Sequence, residues 1–251
     1  MNPVKRILGH IYFFYGVLLF LVTMVLFALI PAGIALLFRE PVRARIVHPT
    51  YRIWMGIFLP LVFIRVRRKG KALFEKGQNY VVVVNHNSFV DIPVSMPWVP
   101  GPNKTLAKIE LSRIPLFGII YKAGSILLDR KKESSRKESF IEMQKTLKQD
   151  ALHLTLYPEG TRNKTNAPLL PFYDGAFITA IRAQKPIIAG LLFNTRKILP
   201  GKPMLWALPA CIDIHFIKAY STQGLSLRQK DELKDQVRAD MEAYYLQHNK
   251  N

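Results

Sequence analysis

From Ile11 to Phe38 the chain reads IYFFYGVLLFLVTMVLFALIPAGIALLF, with no charged residue. Its roughly 28 residues exceed the ~20 that cross a hydrocarbon core as a helix, so the first part of the chain is committed to a membrane helix. A secretory leader would carry a much shorter apolar core of about 7–15 residues before a small-residue cleavage site. A second apolar stretch, Ile53 to Ile64 (IWMGIFLPLVFI), is too short to span and is interrupted by Pro60. Cations flank both stretches: Lys5 and Arg6 precede the first, Arg39, Arg43 and Arg45 follow it, and Arg65, Arg67, Arg68 and Lys69 follow the second. Cationic flanks favour the cytoplasmic side. The pattern therefore suits a hairpin entering one leaflet from the cytoplasmic face, its first arm bent at Pro31 and Gly33, better than a single crossing. Residues 1–65 form this membrane-embedded helical hairpin, and residues 66–251 form a separate α/β domain.

The formal net charge of +19 calls for an anionic partner. Juxtamembrane arginines and lysines attract anionic lipid at roughly 1 kcal/mol each. No nucleic-acid-binding module accompanies the charge, so no nucleic-acid partner is expected. The single cysteine, Cys211, excludes an internal disulfide and a cysteine-based zinc cage, and it reads as a strand residue.

Beyond Val66, short apolar runs alternate with helical stretches. Strands are expected at Tyr80–Val84, Thr105–Lys108, Ser125–Leu128, His153–Tyr157, Pro186–Phe193, Met204–Leu208 and Cys211–Phe216. Helices are expected at Asp91–Trp98, Ser134–Gln149, Gly175–Ala183 and Leu225–Gln247. The run Val81–Val84 is apolar on both faces, as in a mostly parallel sheet flanked by helices. The fold class is thus α/β behind an N-terminal two-helix membrane motif.

The next residues, Asn85-His86-Asn87-Ser88-Phe89-Val90-Asp91, admit two readings. Ser88 and Asp91 match a helix capping box, which needs no function. Starting the helix near Asp91 instead places Pro93 in the first turn, where proline is tolerated. That start leaves His86 in a loop at the carboxyl end of a strand, where ligands of open α/β sheets bind. The Asp91 carboxylate can then turn back to one imidazole nitrogen, freeing the other to take a proton from a hydroxyl. Two further stretches follow strands in the same way. In Tyr157-Pro158-Glu159-Gly160-Thr161-Arg162 the guanidinium offers a planar fork to phosphate oxygens and Glu159 can hold it, although a plain turn with a surface ion pair fits as well. Gly124-Ser125-Ile126-Leu127-Leu128-Asp129-Arg130 ends in a second acid–arginine pair. No cluster has zinc spacing and no G-x-S-x-G elbow is present, so no metal site and no serine hydrolase are expected.

In this order and spacing, NHNSFVD, GSILLDR and YPEGTR closely resemble the blocks of the glycerolipid acyltransferase family, of the bacterial PlsC type, over roughly Val66 to Phe193. The resemblance implies transfer of an acyl group from acyl-CoA or acyl carrier protein to the free hydroxyl of a lysophospholipid, most typically 1-acylglycerol 3-phosphate, giving phosphatidic acid. It implies that His86 is the general base, Asp91 its orienting partner and Arg162 a phosphate ligand. Glu159, Gly160 and Thr161 would shape the acceptor site, and Asp129 and Arg130 would belong to acceptor binding. Lys108, in Ala107-Lys108-Ile109-Glu110-Leu111, would meet the phosphate or the developing oxyanion. The thioester is already activated, so positioning and proton removal suffice without a cofactor. The expected location is the cytoplasmic membrane, with the catalytic domain on its cytoplasmic side.

Two positions depart from the family pattern. Asp174 stands where a basic residue is usual, and Ala189 where a second proline is common after Pro186. An acyltransferase for another lysolipid acceptor, such as lyso-ornithine lipid or a different lysophospholipid, therefore stands as an alternative. So does a non-catalytic lipid-binding protein, which the retention of His86 and Asp91 disfavours.

Overall fold

The uninterrupted valines Val81–Val84 are buried on both faces, which only a strand covered by helices on each side allows. The computed structural model describes residues 2–249, and the strand, β2, lies at the middle of a seven-stranded sheet. The others are β1 (Arg65–Lys69), β3 (Asn103–Lys108), β4 (Ser125–Leu128), β5 (His153–Leu156), β6 (Ile187–Phe193) and β7 (Cys211–Tyr220), in the order β1-β7-β6-β2-β5-β3-β4. From β6 through β4 all neighbours are parallel. β7 runs antiparallel to β6 and pairs in parallel with β1. The carboxyl ends of β2, β3, β4, β5 and β6 thus share one edge of the sheet, and β1 and β7 begin there.

One face of the sheet is covered by α5 (Glu133–Lys148), α6 (Gly175–Ala183) and α8 (Lys230–His248), which pack Leu147, Phe177 and Val237 against Val81, Val83 and Leu191. The other face carries α1 (Pro3–Leu37), α2 (Val42–Leu61), α3 (Asp91–Trp98) and α4 (Phe117–Ala123), and the short α7 (Thr195–Ile198) adds Ile198. There Met24, Ala28, Val47, Trp54 and Met55 from the first two helices join Val82, Val84, Ile188 and Ile212 in one cluster. The N-terminal helices therefore share a core with the sheet. Residues 3–34 of α1 are, among the described residues, the one helix long and apolar enough to cross a membrane, and most of that surface is not covered by protein, which marks it for membrane association.

Several expectations change on contact with the structure. Helix α1 continues through Pro31 and Gly33 to Leu37. Helix α2 is 20 residues long, and its first half was disguised by Arg43, Arg45 and Arg52, which alternate with the buried Ala44, Val47, His48 and Tyr51. Strand β1 went unread because its outward positions are Arg65, Arg67 and Lys69. Met204–Leu208 is not a strand: Leu205 has a φ of 55°, incompatible with extended backbone, and Ala207 N–H donates instead to the Gly9 carbonyl of α1 at 3.1 Å. The last helix begins at Lys230, after a single 3₁₀ turn over Leu227–Gln229.

Candidate active site

Three residues past β2, the chain turns over Ser88 to Val90 and enters α3 at Asp91. Asn85 anchors this departure by extending the sheet with its side chain: its Oδ1 accepts from Leu192 N–H at 2.7 Å and its Nδ2 donates to the Leu192 carbonyl. Asp91 is fully buried. Its Oδ2 lies 2.7 Å from His86 Nδ1 and accepts from the backbone N–H groups of Asn87 and Ser88 at 2.5 and 2.7 Å. α3 begins without a side-chain cap, and Asp91 at its first position instead turns back on the preceding loop, so the oxygen that holds two loop amides is the one that meets the imidazole. Asp91 Oδ1 is buried without a hydrogen-bond partner among the described residues.

Glu159 fixes the same loop from the neighbouring strand. It is buried, with Oε1 accepting from His86 N–H at 2.8 Å and Oε2 from Leu170 N–H at 2.9 Å. Burial pushes its carboxyl above the ordinary carboxylate range, against the pull of those two amides. Glu159 is thus spent on backbone groups and does not hold Arg162, contrary to the expected pairing. The His86 carbonyl in turn accepts from Asn163 N–H at 2.6 Å, so the two loops clasp each other. Half-buried, Arg162 instead sets its guanidinium carbon over the Phe89 ring, 3.5 Å from the centroid, a cation–π contact.

Tyr157, unassigned from sequence alone, packs its ring 4.5 Å from the His86 ring, and its hydroxyl meets Ser95 Oγ at 2.5 Å. Burial and then the charge of Asp91 push the Tyr157 hydroxyl far above its ordinary value, so it stays protonated. Gly160 has a φ of 65°, and a Cβ there would meet the Tyr173 ring at 2.7 Å. Both constraints explain a glycine between Glu159 and Thr161.

Lys108 ends β3 and is exposed, while Asp129 and Arg130 follow β4. Asp129 Oδ1 accepts from Lys131 N–H at 3.0 Å, which shapes the turn there. The sheet order brings β2, β5, β3 and β4 side by side, so all the candidate residues stand on one edge in the sequence His86, Glu159–Arg162, Lys108, Asp129–Arg130. Asp174, the departure from the family pattern, accepts from Lys230 and Lys234 of α8 at 2.7 and 2.8 Å. Both lysines come from a distant part of the chain, a pairing that no local spacing could reveal. Among the described residues no group of three or more His, Cys, Asp or Glu converges as a metal site.

A family model described as Acyltransferase matches residues 65–191. Among curated proteins, the chain is 34% identical over 179 residues to the mouse 1-acyl-sn-glycerol-3-phosphate acyltransferase alpha, covering 71% of this chain and 62% of that relative. It is 31% identical over 195 residues to the Helicobacter pylori 1-acyl-sn-glycerol-3-phosphate acyltransferase, covering 76% and 77%. Of solved structures, the 1-acyl-sn-glycerophosphate acyltransferase PlsC from Thermotoga maritima superposes with a TM-score of 0.78 over the whole of both chains at 18% identity, a likeness of fold. The chain belongs to the Acyltransferase family. The match spans somewhat less than two thirds of the mammalian relatives' length.

Proposed function

We propose that this protein transfers an acyl group from a thioester, acyl-CoA or acyl carrier protein, to the free hydroxyl of 1-acylglycerol 3-phosphate, forming phosphatidic acid. The observation that carries the reading is the His86 Nδ1 to Asp91 Oδ2 contact at 2.7 Å in a loop at the carboxyl edge of the sheet. With Nδ1 engaged, Nε2 is the nitrogen that meets substrate. It takes the hydroxyl proton as the oxygen attacks the thioester carbonyl. The C–O bond forms, the C–S bond breaks, and the departing thiolate takes the proton from the imidazolium. Arg162, stacked on Phe89, presents its planar fork to the acceptor phosphate. Lys108, Asp129 and Arg130, on the same edge, complete the acceptor side. The names of the mouse and Helicobacter pylori relatives support this acceptor. The flanking cations of the two N-terminal helices support attachment to the cytoplasmic face of the cytoplasmic membrane.

The test is acyl transfer by detergent-purified protein to 1-acylglycerol 3-phosphate, wild type beside His86→Ala, with lyso-ornithine lipid as a competing acceptor. Wild type forms phosphatidic acid, and the variant loses about 10²–10⁴-fold in kcat. Equal turnover by the variant refutes the base, and transfer only to the competing lipid moves the substrate.

A further inference from the structure

Large hydrophobic side chains left in water are distributed very unevenly over the α/β part of this molecule. At the edge where the candidate site lies, besides Tyr173 in the loop after β5, four loops expose them: Phe63 between α2 and β1, Phe89 after β2, Ile114 and Leu116 after β3, and Met204 and Leu205 before β7. They are 40 to 75% exposed. At the opposite edge, the loops over residues 70–80, 99–102, 149–152, 184–186 and 221–229 together expose Leu227 alone of this class. Chance placement would not sort them by edge, and a patch gathered from four separate loops marks an interaction surface.

A second observation is independent of exposure. Phe63, Leu116 and Leu205 have φ values of 57°, 60° and 55°. Positive φ is an outlier for bulky residues and is normally given to glycine, or to asparagine in the left-handed α region, which Leu116, with a ψ of −54°, does not occupy. Three of these six positions thus hold a strained backbone while presenting an apolar side chain to solvent. The backbone at Phe63 is the stop of α2, with Phe63 and Ile64 N–H donating to the Pro60 and Leu59 carbonyls, and the backbone at Leu116 turns the chain into α4, with Phe117 N–H donating to Pro115. These turns call for small or polar residues, and an apolar medium outside the protein accounts for the apolar side chains found there.

The patch is continuous with α1. His10 Nδ1 meets the Leu205 carbonyl at 2.8 Å and Ala207 N–H donates to Gly9, while the Tyr12 and Tyr15 hydroxyls donate to the Val62 and Leu61 carbonyls beside Phe63. Exposed cations alternate with the apolar tips: Lys5 and Arg6 on α1, Arg65 beside Phe63, Arg113 beside Ile114, and Lys202 beside Met204. Apolar tips ringed by cations fit an anionic lipid surface.

We propose that these four loops form a second membrane contact, inserting their tips into an anionic bilayer so that the candidate site opens onto lipid. The inference rests on membrane association of α1, and its first readout does not depend on the acyltransferase reading. Full-length protein carrying Cys211→Ser takes a single cysteine at Met204, at Ile114 or, as a control, at Leu227, each labelled with an environment-sensitive fluorophore. The protein is reconstituted into vesicles of phosphatidylethanolamine and phosphatidylglycerol. The labels at 204 and 114 shift to the blue and become shielded from an aqueous quencher, while the label at 227 stays quenched. Equal quenching at all three sites overturns the proposal, as does shielding that appears only when an acyl carrier protein is added.

A second variant combines Phe63→Asn, Leu116→Gly and Leu205→Asn, since glycine and asparagine are the residues that best tolerate positive φ. Its thermal midpoint in detergent is equal to or above that of wild type, and turnover of vesicle-borne acceptor falls several-fold while turnover of a monomeric short-chain acceptor is unchanged. A lowered midpoint would make the tips structural. Loss of both activities alike would remove their lipid role. Failure of wild type to turn over either acceptor would count against the proposed reaction and leave the label result standing.

Discussion

Asp91 shows how one side chain can answer two requirements. Its Oδ2 collects the His86 ring and two loop amides, so of the Ser88–Asp91 box only the carboxylate half forms, while Ser88 Oγ donates to the Leu199 carbonyl and α3 starts without a side-chain cap. Asp91→Asn preserves one acceptor oxygen but offers an amide nitrogen that can only donate. It is expected to lower kcat substantially while leaving KM for the acceptor nearly unchanged, and to lower unfolding free energy by about 1–3 kcal/mol through lost charged hydrogen bonds, checked by steady-state kinetics and urea unfolding. Glu159 was legible as a site residue, yet not in its role. The sequence places it three residues from Arg162, and only the fold reveals the His86 and Leu170 amides that consume both oxygens. Glu159→Gln leaves one of those amides facing a donor, at a cost of about 1–3 kcal/mol. Because burial raises the folded Glu159 pKa, the wild type's contribution from this group is present below the ordinary glutamate pKa and lost as pH rises through the raised value. Unfolding followed across that window should show this dependence in the wild type and none from this position in the variant.

At the scale of elements, apolar pattern and punctuation carried most strands and the helices behind them, because buried strands such as β2 and β6 are apolar throughout. The misreadings share one physical origin. Strand β1, the first half of α2 and the segment around Met204 derive their conformation from tertiary partners, and their own composition points elsewhere. Strand β1 is held by pairing with β7 and by the bidentate Arg67–Asp213 contact at 2.6 and 2.8 Å. The segment around Met204 is fixed by α1, where Gly9 lies against Trp206 so closely that a Cβ would stand 1.9 Å from Nε1 of the buried indole. Gly9→Ala must displace that ring. The overpacking is expected to lower the unfolding free energy by about 1–3 kcal/mol, read as a lowered thermal midpoint in detergent, and the same change at Gly33, where a Cβ meets nothing, serves as the control.

For the whole molecule, the question is how the exposed apolar helix α1 and the sheet behave as one unit. Beside the shared apolar cluster, an ionic junction ties the turn between α1 and α2 to the sheet's far edge. Lys104 of β3, almost wholly buried, holds Glu40 at 3.0 Å and Glu142 of α5 at 3.6 Å, while Arg43 takes Glu40 at 2.7 Å. Glu40 and Arg43 are three residues apart, but nothing in the sequence pairs them with Lys104 or Glu142, which lie on other elements, and the net charge of +19 conceals that one of its cations is internal. Burial pulls the Glu40 carboxyl upward, but Lys104 and Arg43 outweigh it and hold the pKa below the ordinary range. A depressed folded pKa gives stability that is present above the unfolded value and lost as pH falls through the folded one. Lys104→Ala leaves Glu40 half-paired in a covered site, and breaking such a pair costs about 3–5 kcal/mol. The variant should unfold at correspondingly lower denaturant, and because Lys104 no longer holds the Glu40 carboxyl down, the Glu40 share of the acid destabilisation should shrink and flatten the acid limb relative to wild type. If Lys104→Met is as stable as wild type and keeps the wild-type acid limb, the junction does not couple the hairpin to the sheet, and the shared apolar core alone does.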